Sequence, residues 1–191
     1  MCAGIGAGAV LYFTRFDHAA ATALWFVAAA LIVVRLFANM FDGMVAIERG
    51  KVSRVGDLYN EVPDRVSDAA VLIGAGYAAG GGVELGFAAA CVALLVAYVR
   101  AAARVAGAPS DFSGPMAKQH RMHVIIIACL VNGVLGFTTR GQWLEWGPDA
   151  QWGVTAAALS IVIAGGVITA GLRLRTAASR LREADRTSDT G

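Results

Sequence analysis

The sequence predicts an all-α integral membrane protein, a six-helix transmembrane bundle whose first helix is short. Three observations predict it. Hydrophobic residues make up 57% of the 191 residues and charged ones 16%, against about 25% charged in an ordinary soluble domain. The apolar residues come in runs of roughly twenty, the length that crosses a hydrocarbon core. The basic residues collect between those runs and almost all fall on one side of the layer the runs define.

The elements follow in order. An apolar segment near Cys2–Phe13 is too short to span comfortably. The second segment runs from about Ala19 to Ile47, and the third from about Leu58 to Ala79, where Gly80–Gly82 make the turn. The fourth covers about Val83–Val105, the fifth Arg121–Phe137 and the sixth Trp152–Leu172. From Arg173 the chain reads as a basic tail that frays after Glu183. We therefore expect one membrane domain over residues 1–185 and a disordered polar tail over 186–191. The opening MCAGIGAGAV lacks the basic start of a signal peptide and is expected to belong to the mature chain.

Loop charges set the orientation. Thirteen cations, among them Arg49, Arg65, Arg100, Lys118, Arg121, Arg173 and Arg186, lie on one side, and only Arg15 and Arg140 on the other. By the positive-inside rule the first side, with the C-terminus, faces the cytoplasm. Trp143, Trp146 and Trp152 then fit an aromatic belt at the far interface. Cys2, Cys91 and Cys129 show neither metal spacing nor a disulfide framework. No nucleic-acid module is recognisable, and membrane lipids account for the basic residues.

Between the second and third segments the chain reads NMFDGMVAIERGKVSRVGDLYNEVPDRVSD, from Asn39 to Asp68. At about 100° per residue, Asn60, Asp64 and Asp68 fall at roughly 0°, 40° and 80° around a helix, with Asp57 and Glu61 near 60° and 100°. On the preceding helix Arg35, Asn39, Asp42 and Ala46 share an arc of about 60°. Two neighbouring helices can turn these faces toward each other and form a polar pocket at the cytoplasmic end. Carboxylates there must find cations or metal ions, because unpaired charge in low dielectric is costly. Arg35, Arg49 and Arg65 are available as ion-pair partners, and the acid and amide oxygens suit a hard divalent ion. Gly43, Ala46 and Gly56 would let a bulky pyrophosphate reach the helix backbones.

These residues resemble the CDP-alcohol phosphatidyltransferase signature, D-x2-D-G-x2-A-R-x8-G-x3-D-x3-D, with every gap kept from Asn39 to Asp64. Asp42, Gly43, Ala46, Gly56 and Asp64 match, while Asn39, Asn60 and Ile47 stand where two aspartates and an arginine belong. The N-x2-D-G-M and N-E-x2-D-x3-S-D pattern, with GPMAKQHR at Gly114–Arg121, is similar to a divergent branch of that family. The resemblance implies transfer of a phosphatidyl group from a CDP-linked lipid to a small alcohol acceptor, with release of CMP, in phospholipid biosynthesis. It implies Asn39, Asp42, Asn60 and Asp64 as ligands of Mg²⁺ or Mn²⁺, two ions in all. Glu61 and Asp68, on the same helical face, are candidates for further metal ligands that restore the charge the asparagines lack. Asp64 would be the catalytic base, and Asp42, Gly43, Ala46 and Gly56 would contact the cytidine diphosphate. A homodimer is also expected by resemblance.

Arg35, Arg100, Arg104, Lys118 and Arg121 are candidates to bind an acceptor phosphate. Arg100, Arg104, Lys118 and Arg121 would equally serve as positive-inside residues against lipid headgroups. His120 and His123 receive no role. Two other readings compete: a small divalent-cation transporter, disfavoured because AAVLIGAGYAA beyond Asp68 offers no carboxylate path, and a non-catalytic membrane subunit that keeps the fold.

Overall fold

The computed structural model describes residues 1–16, 18–48, 54–109, 113–139 and 152–188, leaving out the side chains at 18–19, 42–48, 54–58, 60, 137–139 and 187–188. Six helices are described: α1 (Cys2–Phe13), α2 (His18–Glu48), α3 (Arg54–Tyr77), α4 (Val83–Val105), α5 (Lys118–Thr139) and α6 (Val154–Ser188). The first five coincide with expected segments to within a few residues, and the sixth begins as expected. Trp143, Trp146, Arg140 and Arg49 lie outside the described residues.

The helices form a closed ring in the order α1, α2, α5, α6, α4, α3, with α1 returning onto α3 and a lesser contact from α3 across to α6. At 1.5 Å per residue α1 reaches about 18 Å, short of the roughly 30 Å hydrocarbon layer. The windows Ala20–Phe41, Val83–Val105 and Val154–Arg186 are long and apolar enough to cross a membrane. The chain is a multi-pass membrane protein. In α3 polar residues occupy the first half, and Pro63 removes the hydrogen bond that the Tyr59 carbonyl would otherwise receive.

Close packing holds α1 on α3. A Cβ on Gly8 would come within 2.9 Å of the Ala70 carbonyl carbon, so only glycine permits this approach. The core combines Leu11, Trp25 and Ile32 with Val71, Leu72, Ile125 and Leu159. At the Trp152 end, buried polar bonds join the helices. The Gly80 carbonyl accepts the backbone N–H of Gly153 and Ala156, at 2.8 and 3.0 Å. Asn132 donates to Thr155 Oγ1 at 2.9 Å, and Thr155 donates to the Ala79 carbonyl at 3.3 Å.

The sixth helix differs from expectation. It runs unbroken to Ser188, carrying the basic residues after Arg173 in helical form. Residues 189–191 lie outside the described residues.

Candidate functional site

The polar end of the bundle is assembled by α3 running down from its first half, by the end of α2, by the last turns of α4 and by the start of α5. A sharp connection brings α5 into place. Gly114 has φ +115°, and a side chain there would press into Thr169. Met116 N–H then donates to Thr169 Oγ1 at 2.9 Å, and Arg173 Nε donates to the Ser113 carbonyl at 2.9 Å. The GPMAKQHR segment is thus pinned to α6, which sets where Lys118 and Arg121 project.

Below this end, Asp68 is buried between arginines of two other helices. Its Oδ1 pairs with Arg35 of α2, and its Oδ2 lies 3.4 Å from Arg121 Nη2 of α5 and 3.7 Å from Arg65 Nη1. Arg35 is 2% exposed. It also donates to Ser67 Oγ at 2.5 Å and to the Asp64 carbonyl at 3.3 Å. Asp64, one turn nearer the surface, pairs with Lys118 and lies 3.9 Å from Arg35. Glu61, a further turn out, pairs with Arg65 and accepts from Arg100 Nη2 at 2.5 Å. The three carboxylates therefore climb one face of α3, each matched to cations from facing helices. Arg35 and Arg65 are the ion-pair partners that the sequence makes available.

A cavity of about 450 Å³ opens beside them. Arg65, Arg100, Lys118, Arg121 and Arg173 line it, and among the described residues Glu61 is the one acid in the lining. Arg121 is the deepest of these, 1% exposed, and its Nε and Nη1 hydrogens find no partner among the described residues. Buried guanidinium donors left unbonded are costly. Arg121 thus brings unsatisfied donors to a wall of this cavity, a chemistry that suits an anion.

Of the residues singled out for an acceptor phosphate, the structure brings Arg100, Lys118 and Arg121 into this cavity. Arg35 does not line it, being buried behind Asp68, and Arg104 does not line it and is exposed. Arg65 and Arg173 join the lining instead. In the sequence Arg65 is available as an ion-pair partner and Arg173 as a loop charge, and neither carries a signal that points into a cavity. His123 bonds its Nδ1 locally to the Gln119 carbonyl at 2.7 Å.

For a metal ion the fit is one of donor chemistry. Carboxylate and amide oxygens are hard ligands, and Asn39, one turn beyond Arg35, has a buried Nδ2 with no partner among the described residues. Exchange of its amide O and N would turn an oxygen to that position. The side chains of Asp42, Ala46 and Asn60 lie outside the described residues, as do the surroundings of Gly43 and Gly56. Among the described residues no three His, Cys, Asp or Glu side chains cluster as a metal site. Beyond Asp68, α3 buries Val71, Leu72 and Ala75, and no carboxylate continues along its described length.

A family model described as CDP-alcohol phosphatidyltransferase matches residues 1–164. Archaetidylinositol phosphate synthase of Pyrococcus horikoshii is 34% identical over 109 residues, 56% of this chain and 57% of that protein. Phosphatidylinositol phosphate synthase of Streptomyces avermitilis is 28% identical over 189 residues, covering 96% of this chain and 71% of that protein. The chain thus spans little more than half of the archaeal relative. Among solved structures, Mycobacterium tuberculosis phosphatidylinositol phosphate synthase with CDP-DAG bound shares the fold, with TM-score 0.61 and 19% identity, over 92% of this chain and 84% of that one. With the signature spacing kept and the family model covering most of the residues, the chain belongs to the CDP-alcohol phosphatidyltransferase family.

Proposed function

We propose that this protein transfers a phosphatidyl group from a CDP-linked lipid to a hydroxyl of a phosphorylated polyol, releasing CMP. The observation that carries the acceptor class is the cavity, where among the described residues five cations gather around one acid and Arg121 keeps two buried nitrogens, Nε and Nη1, without a partner. A phosphate supplies the charge and the acceptor oxygens such a cavity lacks. The two curated relatives are named for inositol phosphate products, which makes an inositol phosphate the first acceptor to try. The CDP-DAG in the mycobacterial neighbour supports a CDP-lipid donor.

In this reading Asn39, Asp42, Asn60 and Asp64 hold the divalent ions, and Asp42, Gly43, Ala46 and Gly56 receive the cytidine diphosphate. Mg²⁺ or Mn²⁺, when bound, supplies charge neutralisation at the pyrophosphate. Glu61 and Asp68 carry their charge into the arginine network, where their oxygens are already engaged. The acceptor phosphate rests on Arg121, Arg173 and Lys118, which orients the hydroxyl toward the lipid-side phosphorus. That oxygen forms the new P–O bond, the bond from the same phosphorus to the bridging oxygen breaks, and CMP leaves with the electron pair. The hydroxyl proton passes to Asp64, which Lys118 ties to the cavity. The site and C-terminus face the cytoplasm from the inner membrane.

The test offers purified protein CDP-diacylglycerol with inositol 1-phosphate, glycerol 3-phosphate, serine or free inositol, and measures CMP. Release is expected only with phosphorylated polyols, to require Mg²⁺ or Mn²⁺, and to vanish in a chelator. Turnover with a neutral alcohol alone would overturn the acceptor assignment. Metal-dependent CDP binding without turnover on any acceptor would favour a non-catalytic subunit.

A further inference from the structure

We infer that Glu61 determines which acceptors the cavity takes, admitting one phosphate together with hydrogen-bond-donating hydroxyls and rejecting a second phosphate. This rests on the cavity being the acceptor site.

The inference starts from an asymmetry in the lining. At the deep end Arg121 has two buried N–H groups with no partner among the described residues, and Arg173 stands beside it in the same wall. At the outer end the cations are arranged around a carboxylate. Glu61 Oε1 receives Arg65 Nε at 3.0 Å and Arg100 Nη2 at 2.5 Å, so one acidic oxygen engages guanidinium groups from two helices. The Glu61 side chain is 44% exposed, facing the cavity rather than sealed beneath it as Asp68 is.

Each end selects by its chemistry. Unbonded guanidinium donors at the deep end take phosphate oxygens. An ionised carboxylate only accepts hydrogen bonds, so the outer end favours ligand groups that donate them, which hydroxyls do. A second phosphate there would offer acceptors to an acceptor and set like charges side by side, at a cost that grows as the cavity excludes water. Arg65 and Arg100 already direct part of their donor set to Glu61, which leaves fewer of their N–H groups for a second phosphate. Discrimination of this kind comes from repulsion of the wrong ligand as much as attraction of the right one. Asp64 lies one helical turn from Glu61, so the outer end is also where the reacting hydroxyl must arrive.

The experiment compares inositol 1-phosphate with inositol 1,4-bisphosphate as acceptors for the wild-type full chain, Glu61→Gln and Glu61→Asp, measuring CMP release at fixed CDP-diacylglycerol and Mg²⁺. The wild type is expected to prefer the monophosphate. Glu61→Gln keeps the shape and removes the charge. It should shift the kcat/KM ratio toward the bisphosphate by about tenfold or more, chiefly through a lower bisphosphate KM. Glu61→Asp should retain most of the preference. A second readout needs no turnover: inorganic phosphate should protect Glu61→Gln from thermal unfolding at lower concentration than it protects the wild type.

A ratio within twofold of wild type in Glu61→Gln overturns the proposal. So does a parallel fall in kcat for both acceptors with a raised Mg²⁺ requirement, which would make Glu61 a metal ligand. If the wild type uses neither inositol phosphate but does use a neutral alcohol, the acceptor reading itself has failed. Phosphate protection sensitive to Glu61 would then identify a regulatory anion site in place of selection among acceptors, and would also overturn the inference.

Discussion

Asp64 and Asp68 stand one helical turn apart, yet their surroundings assign them different work. Asp68 is 2% exposed and neutralises Arg35 and Arg121, which reach it from α2 and α5. Replacing it with asparagine would leave two buried guanidinium groups without their anion, a change that costs about 3–5 kcal/mol in buried pairs. Asp68→Asn is therefore expected to lower the unfolding temperature in detergent markedly, and a wild-type melting curve would contradict that role. Asp64 is matched to Lys118, whose side chain is 25% exposed, so its pair is worth far less to stability. If Asp64 is the base proposed above, Asp64→Asn should melt near the wild type while losing CMP release by about a hundredfold or more. Helical angle alone puts both aspartates on one face, and that much was legible in the sequence. Depth was not: whether a carboxylate meets solvent, metal or arginine depends on α2 and α5, whose approach no local pattern encodes. For the same reason Arg35 reads as a phosphate ligand by proximity to Asn39, although its guanidinium turns toward Ser67 and Asp68.

Elements were read well where hydrophobicity decides them and less well where it does not. The start and end of α4 follow the apolar run Val83–Val105. The end of α6 does not, because RTAASRLREADR is polar but rich in alanine, arginine, leucine and glutamate, all strong helix formers. Charge made that stretch read as a tail, while propensity carries the helix through it. The contact between α1 and α3 offers a direct test. Valine at Gly8 would force bulk against the Ala70 backbone, which cannot yield as a flexible side chain does. Gly8→Val should cost about 1–3 kcal/mol through overpacking, and should lower CMP release because Ser67 and Arg35 sit in the same seam. Gly6→Ala is the control: its new methyl would meet only Leu31 Cδ1 at 3.8 Å, an ordinary contact. Equal melting temperatures for the two variants would show that α1 is not packed on α3 in this way.

Across the whole molecule, the ring order makes the two ends chemically unlike. The carboxylates, the cavity cations and the basic end of α6 share one end, while Gly80, Trp152 and Arg15 share the other. A layer with this bias should insert with the cationic end in the cytoplasm, where a nucleotide-linked donor and the proposed phosphorylated acceptor can both arrive without crossing the membrane. Single cysteines report the orientation in a background carrying Cys2→Ser, Cys91→Ser and Cys129→Ala. Ser179→Cys, exposed on α6, should react with a membrane-impermeant maleimide in inside-out vesicles and stay unlabelled in right-side-out ones. Arg15→Cys, exposed at the other end, should behave oppositely. The reverse pattern would put the cavity outside the cell, where the proposed phosphorylated acceptor is not supplied, and would overturn the orientation proposed for the site.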